Sequence, residues 1–453
     1  MSQAARSDPW RLPCLIALFA LALGLRWRGL GRSLWYDELF TLVHFGESLS
    51  QAWGTQVEAN NHPLASTLVW LARSLGAESA RGLRLPFWVA GAGAAPALAW
   101  ALWPSGRRRA WLAGGLLALA PPAVLASQQV RGYAPALLLL ALALGAALRL
   151  REEAHPRWGA LLAGCVVLGL SAHLSAGLGL LCLALLAWGA RSPRVLLAWL
   201  GGGFLGGLIV LLPTLSRTWK FVRRNLGVAE PALPSPLAPG PFDLARLGEA
   251  AGSPLLGFLL VILLGLGLAS AKRERSARPI PSLALGAWAL TPLLLVVSGA
   301  LGYARFAWFA WPAWAALAAL GPAREPRRLA LVVVAWFLAL SAWIGARERR
   351  GELADLRGAV VLARSQVGQG EVFAAGPGGE LLGGYGVSAL LPADEGAALE
   401  VVAALPRPWA AVIALPAWLE LQPRLEAALS AHARYVIPGR EGPVLVVVAR
   451  RDP

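Results

Sequence analysis

Pro63-Leu-Ala-Ser-Thr-Leu-Val-Trp-Leu-Ala-Arg-Ser-Leu-Gly76 is the stretch whose reading sets the topology of this chain. It is apolar, but it ends at Gly76, well short of the ~20 residues a helix needs to cross a bilayer. Counted as a span, it would reverse the orientation of everything after it. Read instead as a surface-lying or re-entrant helix, it leaves five later basic clusters on one side of a membrane. These are Arg107-Arg108-Arg109, Arg149/Arg151/Arg157, Arg191/Arg194, Lys272/Arg273/Arg275/Arg278 and Arg324/Arg327/Arg328. Five consecutive loops then obey the positive-inside rule, and the alternative would place all five outside.

The composition supports a membrane reading. Of 453 residues, 57% are hydrophobic and 15% charged, and the mean hydropathy is +0.58. A soluble chain of this length needs far more polar surface. The net charge of +16 does not indicate a nucleic-acid partner, because much of it falls in short Arg clusters between apolar runs rather than on one face. Spans are expected near 12–30, 85–103, 110–127, 134–150, 158–173, 176–190, 195–213, 254–271, 281–301, 306–321 and 328–345. That makes about 11 transmembrane helices, with the N-terminus in the cytoplasm. The N-terminal stretch lacks a small-residue cleavage site after Leu25 and reads as a retained first helix. Cys14, Cys165 and Cys182 lie in apolar segments without paired spacing, so neither a disulfide nor a metal site is expected of them.

The expected organisation is therefore a multi-pass α-helical domain over 1–345, with a first external loop at 31–84, and a small extracytoplasmic α/β domain over 346–453. The tail carries a helix-like stretch from Glu352 to Gln366. Short β-prone runs follow, Val372-Phe-Ala-Ala, Ala411-Val-Ile-Ala-Leu and Val444-Leu-Val-Val-Val-Ala449, separated by Gly/Pro turns. A long outer loop is expected at 214–253.

With that orientation, the unusual polar residues fall on the outer side. Asp37 and Glu38 follow the first span in Arg32-Ser-Leu-Trp-Tyr-Asp-Glu-Leu-Phe-Thr41. Asn60-Asn61-His62-Pro63 closes the polar part of the first loop. Gln128, Gln129, Arg131 and Tyr133 form the turn after the third span, His173 ends the fifth, and Tyr303 and Arg305 lie between the ninth and tenth. The span interiors hold almost no charge, whereas ion-coupled transporters place acids or histidines near the midplane. Each residue has a plainer reading: solvated acids, a chain stop before Pro63, snorkelling arginines, a packed histidine. Trp308, Trp311 and Trp314 read as an interfacial belt or helix packing. Together the residues suit transfer from a lipid-linked phosphate. Arg131 and Arg305 would hold the phosphate, Asp37 would take a proton from an acceptor hydroxyl, and Glu38 or His62 would orient the sugar or a metal.

Ser33-Leu-Trp-Tyr-Asp-Glu-Leu-Phe-Thr41, Asn61-His-Pro-Leu64, Arg84-Leu-Pro86 and Ser127-Gln-Gln-Val-Arg-Gly-Tyr133 resemble bacterial family-39-like glycosyltransferases of the GT-C fold. These are relatives of protein O-mannosyltransferases and lipid A aminoarabinose transferases. The resemblance covers the first 175 residues and extends more weakly to about 320 through Tyr303-Ala-Arg305-Phe306. It implies an enzyme of the cytoplasmic (inner) membrane with an extracytoplasmic active site and a polyprenyl-phosphate-linked sugar as donor. The acceptor would be a lipid, glycan or protein, transfer would invert the anomeric carbon, and Asp37 matches the family's catalytic base. His62-Pro63-Leu64 and Arg305-Phe306 depart from the family's His-Pro-Pro and Arg-Tyr. The second departure removes a hydroxyl. Family members differ in metal dependence, so a divalent metal stays open. The competing readings are a transporter or flippase for lipid-linked sugars and a scaffold whose C-terminal domain binds a partner.

Overall fold

The computed structural model describes residues 8–32, 34, 36–54, 61–188, 190–227, 264, 285–290, 308–319, 356–367, 371–375, 387, 389–391, 395–404, 408–413, 423–430, 432–437 and 444–449. Contact clustering divides the chain into two units. One comprises 1–30 and 46–343, the other 31–45 and 344–453.

The first unit is helical. Its described elements are α1 (Arg11–Trp27), α3 (Leu49–Gly54), α4 (Pro63–Ser74), α5 (Ala80–Leu102), α6 (Arg107–Leu119), α7 (Pro121–Ala126), α8 (Tyr133–Glu152), α9 (Pro156–Ala172), α10 (Ala176–Cys182), α11 (Pro193–Gly227) and α12 (Trp311–Ala318). Helix α2 (Tyr36–His44) belongs to the second unit. Among the described residues, three stretches, 80–105, 133–152 and 193–213, are long and apolar enough to cross a membrane, and 156–172 and 176–187 are shorter apolar helices. A backbone in hydrocarbon must satisfy its own hydrogen bonds, which is why these runs are helices. The expected spans at 254–271, apart from Leu264, and at 328–345, and most of 281–301, lie outside the described residues.

Helix α4, within the decisive stretch, is short. Its 12 residues rise about 18 Å, against a hydrocarbon core of about 30 Å. Two expectations are corrected. The span at 110–127 is broken at Ala120 into α6 and α7, because Pro121 and Pro122 lack the N–H groups that would continue the helix. The outer loop expected from 214 instead begins as helix, since α11 runs on through Pro213 to Gly227.

The break after α6 has a specific compensation. A straight helix would satisfy the carbonyls of Leu117 and Ala118 with the N–H groups of residues 121 and 122, and both are prolines. The Leu117 carbonyl accepts a long bond from the Ala120 N–H at 3.4 Å, and the fully buried Arg26 of α1 donates to both carbonyls. Its Nη1 donates to the Ala118 carbonyl at 2.9 Å and its Nη2 to the Leu117 carbonyl at 3.5 Å, while Nε donates to Ser127 Oγ at 3.0 Å. Helix α1 is thereby bound to α6 and to the turn that follows α7. That turn is fixed from below as well, by Gln128 Nε2 donating to the Arg26 carbonyl at 3.0 Å.

In the second unit, α2 (Tyr36–His44) precedes five strands: β1 (Glu371–Ala375), β2 (Ala389–Leu390), β3 (Trp409–Ile413), β4 (Ala433–Ile437) and β5 (Val444–Ala449). They form one mixed sheet in the order β2-β1-β3-β5-β4. The β1–β2 and β1–β3 pairs are parallel, and β3–β5 and β4–β5 antiparallel. Every residue of β3 is buried, as the central strand of a sheet covered on both faces must be. Helix α13 (Leu356–Val367) packs on β1, β3 and β5. Ala398 of α14 (Glu395–Ala404) and Leu425 and Leu429 of α15 (Pro423–Ser430) share a core with Trp409, Ala411 and Ile413.

Candidate active site

Three of the residues singled out from the sequence come together in the helical unit. His62 and His173 stack with ring centroids 4.6 Å apart and 19° between planes. The Tyr133 ring lies 4.8 Å from His173 and 6.5 Å from His62. Local sequence explains how each is held. His62 precedes Pro63, which bars it from helical geometry and makes it the extended N-cap of α4, at φ −118° and ψ 91°. Just before it, Asn61 Nδ2 donates to the Ala52 carbonyl at 2.9 Å, and Ser66 Oγ donates to Asn61 Oδ1 at 2.8 Å. The entry to α4 is therefore tied to α3.

Tyr133 opens α8, and Gly132 before it lies so close to the end of α9 that a Cβ there would sit 1.6 Å from the Ala172 carbonyl oxygen. Only glycine permits that approach. It sets the start of α8 against the C-cap of α9, which is His173.

The electrostatics follow from enclosure. Loss of water around the ring, then the positive Arg131, then His173, hold His62 well below the ordinary histidine value. His173, in the turn between α9 and α10, is pushed down to about 3 by burial and then by Arg131. Both imidazoles are neutral at physiological pH. The Ser175 backbone N–H donates to His173 Nδ1 at 3.3 Å, with Ser175 Oγ 2.8 Å from the same nitrogen. A backbone N–H can only donate, so Nδ1 is an acceptor and the ring proton sits on Nε2. His173 thus offers one N–H to a ligand oxygen. Arg131, 5% exposed, is the buried cation of the group.

Trp308, read from the sequence as part of an interfacial belt or of helix packing, joins this group of rings. It stands edge-on to both rings, 5.2 Å from His173 and 5.5 Å from Tyr133, and is 4% exposed. Its companions Trp311 and Trp314 are packing residues and not an interfacial belt. Both are buried, and Trp314 Nε1 donates to the Ala289 carbonyl at 2.9 Å. The Trp-every-three spacing signalled a helix face but not that its first member faces the histidines.

Asp37 and Glu38 belong to the second unit, where they occupy the first turn of α2. Carboxylates there oppose the positive end of the helix dipole. Thr41 Oγ1 donates to the Asp37 carbonyl at 2.9 Å, Glu38 is fully buried, and Asp37 is partly exposed. Arg305 and Tyr303 lie outside the described residues. Gln128 is committed to the Arg26 carbonyl and is a structural residue. Among the described residues, no three His, Cys, Asp or Glu side chains group to hold a metal ion.

No protein-family model matches the chain, and no curated protein matches it by sequence. Solved structures do resemble it. ArnT from Cupriavidus metallidurans in the apo state superposes with a TM-score of 0.60 at 16% identity, covering 96% of this chain and 97% of that one. The same protein bound to undecaprenyl phosphate gives 0.61 at 15% identity, with the same coverage. The Archaeoglobus fulgidus oligosaccharyltransferase gives 0.59 at 13% identity, covering 98% of this chain and 75% of that one. The fold of this chain is therefore that of the GT-C membrane glycosyltransferases.

Proposed function

We propose that this protein is a membrane glycosyltransferase that takes a sugar from a polyprenyl-phosphate donor and passes it to a hydroxyl-bearing acceptor on the outer face of the cytoplasmic membrane. The observation that carries the reading is the His62–Tyr133–His173–Trp308 cluster beside the buried Arg131. A cluster of neutral and aromatic rings beside one cation suits a ligand that combines a sugar ring with a phosphate. The ArnT structure with undecaprenyl phosphate supports this choice of donor. So does an archaeal oligosaccharyltransferase solved with a dolichol-phosphate.

In this reading the acceptor oxygen attacks the anomeric carbon as the bond to the phosphate oxygen breaks. The polyprenyl phosphate leaves and the sugar is inverted. The acceptor proton passes to Asp37, the proposed general base. Arg131 and Arg305 stabilise the charge that develops on the leaving phosphate, His173 Nε2–H donates to a substrate oxygen, and Glu38 and His62 orient the sugar.

The test is release of label from a panel of radiolabelled polyprenyl-phosphate sugars by purified protein, beside Asp37→Asn. Transfer by wild type alone supports the reading and names the donor. Saturable binding without release from any donor, unchanged by the substitution, would support a flippase instead.

A further inference from the structure

A groove of about 400 Å³ lies between α1 and α6, far in sequence from the candidate site. Arg107, Arg108, Trp111, Leu112, Leu116 and Leu119 line it from α6, with Gly115 among them, and Leu18 and Leu21 close it from α1. The α6 positions recur at one-turn spacing and so form a single face. From Arg107 to Leu119 that face runs about 18 Å by helical rise, slightly more than one leaflet of a ~30 Å hydrocarbon core. One end is doubly cationic and the rest is apolar.

The charged end is arranged for an anion. Three arginines crowd the first turn of α6, where the helix dipole disfavours cations, and no side chain caps that terminus. Neighbouring basic residues have partners within the protein. The Arg149 guanidinium stacks 3.6 Å over the Trp100 ring, and Arg151 and Arg157 approach Glu152 and Glu153. Arg107 and Arg108 are exposed and form no ion pair with a described residue.

We propose that this groove holds one acyl chain of an anionic phospholipid whose phosphate rests against Arg107 and Arg108 at the start of α6. A negative headgroup relieves the crowded cations and meets the helix N-terminus. The chain covers apolar surface on the exposed Leu21 and the half-buried Trp111. The site is independent of the transferase reading.

The experiment uses delipidated full-length protein in detergent, titrated with phosphatidylglycerol or with phosphatidylcholine of the same chains, reading melting temperature and bound lipid by native mass spectrometry. Phosphatidylglycerol is expected to bind and raise the melting temperature. In Arg107→Gln/Arg108→Gln its apparent Kd should weaken roughly ten- to thirty-fold. Gly115→Leu fills the groove, since a Cβ there meets nothing within 4 Å. It should abolish binding of both lipids while leaving the lipid-free melting temperature near that of wild type. Equal responses in wild type and both variants would overturn the proposal. So would stabilisation by inorganic phosphate alone, preferential displacement by undecaprenyl phosphate, or a dimer mass lost in Gly115→Leu, which would mean that a second copy covers the groove.

Discussion

His62 and His173 lie face to face with ring centroids 4.6 Å apart, although 111 positions separate them in the chain (173 − 62). Two imidazolium rings could not stack this way beside Arg131 without mutual repulsion, so the arrangement itself favours the neutral form.

Acidification should therefore destabilise the protein. Both folded-state values lie below the ordinary ~6.5 of an unfolded histidine. Below that value the unfolded chain binds protons that the folded one refuses, so stability is full above about pH 6.5 and declines as pH falls towards the folded values. The slope approaches about 1.4 kcal/mol per pH unit for each ring. The melting temperature in detergent should fall between about pH 7 and pH 5, and fall less in His173→Asn. A profile that is flat in wild type and in the variant alike would contradict this account of the stack.

Replacing Gly132 with alanine forces a Cβ against the Ala172 carbonyl. The start of α8 must then move off the end of α9, at a cost of about 1–3 kcal/mol as for other overpacked sites. Tyr133 moves with it, so activity on the lipid-linked donor should drop along with the melting temperature. Gly164 within α9, where a Cβ meets nothing within 4 Å, serves as the control and should accept alanine.

Arg26→Met should cost about 3 kcal/mol or more, since it removes charge-assisted bonds to both carbonyls and takes from the Ala118 carbonyl the donor that replaces the Pro122 N–H, while Leu117 keeps only the long bond from the Ala120 N–H. The prolines provide the check. Combining Arg26→Met with Pro121→Ala and Pro122→Ala restores the backbone N–H groups, and part of the loss should be recovered. Simple additivity in that cycle would show that Arg26 is not compensating for the prolines.

Asp37→Asn should lower kcat by roughly 100-fold or more, in line with loss of a general base, with expression and melting temperature near wild type. Asp37 is partly exposed at a helix start, so an amide of the same shape fits there. Retained turnover would remove Asp37 as the base and shift attention to Glu38.

Trp308→Ala should weaken donor binding more than it slows turnover, since the ring walls the cluster without offering a titrating group. Measured KM and kcat separate the two effects. A loss confined to kcat would instead place Trp308 against the reacting atoms.

Much of the fold was legible in the chain itself. The apolar run predicted at 134–150 is α8 at 133–152, and the short stretch before Gly76 is a short helix. The Val-rich run Val444–Ala449 is a strand. Each of these outcomes is decided locally, because a backbone must satisfy its hydrogen bonds within the segment or along a regular strand, and composition with length settles which. Polar residues on loops were recognisable for the same reason, as exceptions in an apolar chain. What the tertiary structure decided is which of them meet. Nothing in the local sequence of Trp308 or His173 states that they lie 5.2 Å apart. Nothing around Arg26 says that it serves two prolines some 95 positions away, at 121 and 122. Those relationships depend on how separate helices cross, and on one glycine, Gly132, thin enough to let two of them touch. Helix crossing is set by the packing of many side chains at once, and no single segment carries that information.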